Sequence, residues 1–114
     1  MRKLLVLVLA VSLLGILAAV AFADTKGVKV GDNYYVRSSG VPTVSVKKGD
    51  RLKFNFRGSN PHNAHGVGIS LGSDCMKVRS SGSCRSSALK KRGTFTIFCD
   101  VHGKGDQKMR VKVG

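Results

Sequence analysis

Beyond residue 23 the apolar positions of this chain recur at every second residue, in short runs. Leu52, Phe54 and Phe56 alternate with Lys53, Asn55 and Arg57, the signature of a strand with one face turned inward. Val67, Ile69 and Leu71 alternate with Gly68 and Ser70, and Met109, Val111 and Val113 with Arg110 and Lys112. Phe95 and Ile97 alternate within Gly93-Thr94-Phe95-Thr96-Ile97-Phe98. Shorter strands are expected at Val28–Val30 and Tyr34–Arg37, on either side of the turn-forming Gly31-Asp32-Asn33. Val44-Ser45-Val46 alternates as well, and Lys47-Lys48-Gly49-Asp50 turns the chain. No stretch past residue 23 carries a helical period. Many short strands at close spacing predict a β-sandwich or barrel. Residues 73–92 are rich in Ser, Lys and Arg, and read as an exposed loop excursion.

The N-terminus has a different pattern. Arg2 and Lys3 precede a nearly unbroken apolar run from Leu4 to Val20, closed by Ala21-Phe22-Ala23. That is the layout of a cleaved signal peptide over residues 1–23, and an extracytoplasmic destination follows. The alternative is a retained anchor, since the run approaches spanning length. Removing 23 of 114 residues leaves 91, enough for one small domain over 24–114. That part holds 18 basic residues against 6 acidic ones, a net charge of +12. Such a surface calls for an acidic partner, an acidic wall polymer or an anionic membrane. Nucleic acid does not suit an exported chain without helix-turn-helix, zinc-finger or aromatic-rich RNA-binding patterns. Six acidic residues form no carboxylate pair, and no nucleophile–base arrangement stands out, so no catalytic residues are assigned and an enzyme is not expected.

Three cysteines make an odd count for an exported domain. Cys99 ends an apolar strand, and His102 follows three residues later. Upstream, after Phe54-Asn55-Phe56 and a polar loop, stands Pro61-His62-Asn63. One thiolate and two imidazoles make a trigonal copper site. These segments, from about Val28 to Val113, resemble the cupredoxins, the blue-copper electron carriers of the plastocyanin and pseudoazurin type. The resemblance implies an all-β, Greek-key antiparallel β-sandwich, with His62, Cys99 and His102 as ligands of one copper ion. It also implies that Asn63 braces the cysteine loop. Cys75 and Cys84 then remain to form a disulfide. The alternative pairs Cys99 with one of them and leaves a free thiol in an oxidising compartment. His65 competes with His62, and alone reads as a solvated loop histidine.

The axial position departs from the plastocyanin pattern. Counting five residues on from His102 gives Gln107, and counting back from the Arg110-Val111-Lys112-Val113 strand gives the same residue. Gln there resembles the stellacyanin type. Met109, two residues on, is the alternative ligand; otherwise it is a core residue in line with Val111 and Val113. The expected function is that of a monomeric electron carrier cycling Cu(I) and Cu(II) with an acidic redox partner. Copper sequestration by the same ligands is one alternative. A cationic, disulfide-stapled binding module without metal is another.

Overall fold

The computed structural model describes residues 23–114; the expected leader, apart from its last residue, lies outside the described residues. Among the described residues eight strands form: β1 (Thr25–Gly31), β2 (Tyr34–Tyr35), β3 (Thr43–Val46), β4 (Arg51–Phe56), β5 (His65–Val67), β6 (Ser83–Arg85), β7 (Gly93–Phe98) and β8 (Lys108–Val113). Two helical turns join them, α1 (Ser73–Met76) and α2 (Gly103–Asp106). The strands make two four-stranded sheets, in the orders β2-β1-β4-β6 and β3-β8-β7-β5. The sandwich expected from the alternating pattern is present. Not every pairing in it is antiparallel: β1 runs parallel to β4, and β3 parallel to β8. Parallel neighbours need a crossover. The chain supplies one by leaving β1, adding β3 to the opposite sheet, and only then returning as β4.

Each sheet presents its apolar set to the other. Val28, Val30, Leu52, Phe54 and Phe56 are buried on one side, and Ile97, Met109, Val111 and Val113 on the other. Tyr35 packs its edge against Phe54, with ring centroids 6.0 Å apart. Three details differ from the expected strands. β2 stops at Tyr35 because Val36 takes a left-handed φ of 69°, which breaks the ladder. β5 covers His65–Val67 rather than Val67–Leu71, because Gly68 turns the chain at φ 76°. Residues 73–92 are largely exposed, as expected, but not loop throughout: they form α1 and β6, and Cys75, Cys84, Ser86 and Leu89 turn inward. Apolar counting missed this stretch because its inward positions are two cysteines, a serine and one leucine.

At the end of the sandwich away from the ligand loop, Asp50 closes the β3–β4 turn. Its carboxylate accepts the Lys47 N–H and the Asp24 N–H, each at 2.8 Å. Those two hydrogen bonds, Asp24's first, hold its pKa below the ordinary carboxylate value.

Candidate metal centre

Two stretches of chain carry the site, and each is anchored before it reaches a ligand. His62 lies between β4 and β5 in an isolated bridge with Arg79, their N–H and C=O groups exchanging bonds of 3.0 and 2.9 Å. Ala64 N–H donates to Cys75 O at 2.8 Å. The segment from α1 to Arg79 is therefore the back wall of His62. The Cys75–Cys84 disulfide ties that wall to β6, which pairs with β4. The second stretch is the loop after β7, from Cys99 to Gln107. It is closed by Gly103 N–H on Cys99 O at 2.7 Å and Gln107 N–H on Gly103 O at 3.2 Å. Cys99 N–H donates back to Gln107 O at 3.2 Å.

Asn63 joins the two stretches. Its Oδ1 accepts the Asp100 N–H at 2.8 Å, and its Nδ2 donates to Asp100 Oδ2 at 2.7 Å and Met76 O at 2.9 Å. Tyr35 donates its phenol proton to Asn63 O. Burial keeps that phenol protonated by raising its pKa. Asn63 thus does brace the cysteine loop, next to the residue it holds in place.

The result is a compact donor set. His62 and Cys99 are fully buried and His102 is half-buried, with one ligand atom from each lying within 4.8 Å of the others. Cys99 Sγ is 3.5 Å from His102 Nδ1 and 4.0 Å from His62 Nδ1. Thiolate and imidazole donors held 2.0–2.3 Å from one ion in a trigonal plane are roughly 3.6–4 Å apart. The two imidazole planes are tilted by 31°, with centroids 4.8 Å apart. These three residues are positioned to form a metal site.

Gln107 is also fully buried. Its Nε2 donates to Gly31 O at 3.2 Å and to Tyr34 O at 3.1 Å. Two carbonyl acceptors require the amide nitrogen on that side, so Oε1 faces the other way. Among the described residues it has no hydrogen-bond partner. Met109 is buried too, but on β8 opposite Ile97 and in phase with Val111 and Val113. Cys99 is the free cysteine.

Two acidic residues flank the centre. Asp32 Oδ1 is 2.9 Å from His62 Nε2. That bond, with the Asn60 and Ser59 amides behind it, lowers the Asp32 pKa to about 2. Asp100 binds His65 Nδ1 at 3.0 Å, and that contact, followed by Asn63, lowers its pKa as well. His65 sits on β5, not in a loop, stacked on Phe98 at 5.0 Å, and is outside the metal-site cluster. In the sequence Gly31-Asp32-Asn33 shows only a turn, and the contact of Asp32 with His62 is not visible there. A carboxylate in a turn has no local signal for a partner 30 residues away.

No protein-family model matches the sequence, and no curated protein matches it significantly. Solved structures do. A mutant plastocyanin of a fern, known in oxidised and reduced forms, superposes with a TM-score of 0.62 at 18% identity, covering 77% of this chain and 99% of that one. The oxidised plastocyanin of Dryopteris crassirhizoma gives 0.57 at 16% identity over the same shares. A methionine-to-glutamine mutant of amicyanin in its Cu(I) form gives 0.58 at 21% identity, over 85% of this chain and 88% of that one. The chain has the cupredoxin fold, that of plastocyanin and amicyanin, and its His–Cys–His cluster fits a blue-copper site.

Proposed function

We propose that the domain is an exported electron carrier that holds one copper ion on His62, Cys99 and His102, with Gln107 Oε1 as axial ligand. The observation that carries this reading is the buried thiol flanked by two imidazole Nδ1 atoms at 3.5 and 4.0 Å. Bound copper supplies one-electron chemistry by alternating between Cu(I) and Cu(II). A soft thiolate and two imidazoles suit both states. The unpartnered Oε1 supports the axial assignment, because a buried carbonyl oxygen without a donor is costly unless something else satisfies it.

The protein's own part is to keep these donors still. His62 is fixed by its bridge to Arg79 and its contact with Asp32, and Cys99 by the Asn63 clasp. Donors that do not move between oxidation states keep reorganisation small. His102 is the more exposed imidazole, and its edge is the exit for electrons. The partner is an acidic protein. Arg51, Lys53, Arg85, Arg110 and Lys112 are exposed on strands. Among the described residues, the one ion pair between an Arg or Lys and a carboxylate is Arg79–Asp74. Uncompensated positive charge speeds encounter with a negative surface.

A visible spectrum of the copper-loaded domain tests the reading. One equivalent of Cu(II) should give an intense thiolate-to-copper band, and Cys99→Ser should abolish it. A weak band at full occupancy would favour sequestration, and a Cys99→Ser protein that stays coloured would overturn the ligand set.

A further inference from the structure

We propose that the β1–β2 turn, residues 31–34, is a bracket that orients two ligands of the centre, and that Asp32 is its positioning residue. This rests on the copper reading above. The turn offers three acceptors to the site. Asp32 Oδ1 faces His62 Nε2 at 2.9 Å, while Gly31 O and Tyr34 O take the Gln107 Nε2 protons at 3.2 and 3.1 Å. Carboxylate and carbonyl oxygens can only accept. His62 must therefore carry its proton on Nε2, which leaves Nδ1 free on the side of Cys99 Sγ. Gln107 must likewise turn Oε1 away from the turn. One four-residue segment holds both side chains by their N–H ends and so aims both donor atoms.

The bracket is itself tightly seated. Asp32 Oδ1 also accepts the Asn60 N–H at 3.0 Å, and Oδ2 accepts the Ser59 N–H at 3.1 Å. A Cβ at Gly58 would stand 2.2 Å from Asp32 Oδ1, and one at Gly31 would stand 2.2 Å from the Tyr34 ring. Glycine at 58 lets the turn and the loop before His62 approach this closely, and glycine at 31 makes room for the Tyr34 ring within the turn. A carboxylate on the far nitrogen of a ligating imidazole also makes that imidazole a stronger donor. Its negative charge favours the more highly charged metal state, so Asp32 should hold the reduction potential down.

Two variants separate orientation from charge. Asp32→Asn keeps an oxygen that can accept from Nε2 but removes the charge, whereas Asp32→Ala removes both. Long-range nitrogen–proton NMR of the metal-free protein reads the His62 tautomer directly. We expect a protonated Nε2 in the wild type and in Asp32→Asn, and a mixture of tautomers in Asp32→Ala. In copper-loaded protein, Asp32→Ala should lose roughly 10–100-fold in Cu(II) affinity and less in Cu(I) affinity, so its potential rises. Asp32→Asn should keep the intense band and raise the potential by a smaller step. An Asp32→Ala protein with an unchanged tautomer and an unchanged potential would overturn the proposal. Should the tautomer respond while the wild type gives no copper band, the copper reading fails and the bracket stands.

Discussion

An unpartnered buried polar atom costs about 1–3 kcal/mol, and Gln107 Oε1 is such an atom. Its amide nitrogen is held twice, so the side chain cannot flip to relieve the oxygen without abandoning two carbonyls. The proposed axial metal contact would satisfy that oxygen. Replacing Gln107 by methionine puts a thioether where the amide oxygen was, and thioether sulfur favours the cuprous state. The potential of Gln107→Met should therefore rise, as voltammetry of the loaded protein would show. Met109→Leu is a volume-conserving change in the core; it should cost under about 1.5 kcal/mol and leave both spectrum and potential unmoved. The reverse outcome, a shift in Met109→Leu and none in Gln107→Met, would make Met109 the axial residue.

Among the elements, the strap from α1 to β6 does more than its composition suggests. It pairs with His62, accepts from Ala64 and Asn63, and is stapled by Cys75–Cys84 across nine positions. Closing so short a loop stabilises by roughly 2–3 kcal/mol in the chain-entropy model. Replacing both cysteines by alanine should cost at least that much in denaturant unfolding. It should also weaken copper binding, because the wall behind His62 loosens. Normal copper affinity in the double variant would show that the strap is dispensable to the site. This element was the least legible in the sequence. Alternation disclosed β4, β7 and β8, whose inward faces are large and apolar. It gave nothing for β6, which is three residues long with Cys84 as its inward side chain. The three residues of the donor cluster could be read, because Pro61-His62-Asn63 and Cys99-Asp100-Val101-His102 are local patterns. The bracket at Asp32 could not, since it exists only once β1 lies beside β4.

For the whole molecule, charge is distributed by role. None of the carboxylates that make the contacts described above lies within a strand; Asp32, Asp50, Asp74 and Asp100 each take hydrogen bonds in a turn, a helical turn or a loop. Lysine, arginine, serine and threonine predominate at the exposed strand positions. The acids organise the ends of the sandwich, the bases face outward, and the net charge of the exterior follows from that division. The same division ties stability to pH. Asp50 has a folded-state pKa below its unfolded one, so its contribution is complete above the usual carboxylate range and is lost as pH falls through the folded value.

The contact between Asp24 N–H and Asp50 bears on the birth of the mature protein. If the leader is cut after Ala23, the peptide nitrogen of Asp24 becomes a free ammonium already seated on a carboxylate. Proteolysis would then turn a hydrogen bond from an uncharged amide into an ion pair and tighten the domain at the moment of its release. A chain beginning at Asp24 should melt higher at pH 6 than one that retains Ala23. The gap should shrink above about pH 8, where a free α-amino group loses its proton, and should vanish in Asp50→Asn. Equal melting temperatures at pH 6 would mean that removal of the leader leaves the fold indifferent to its own new end.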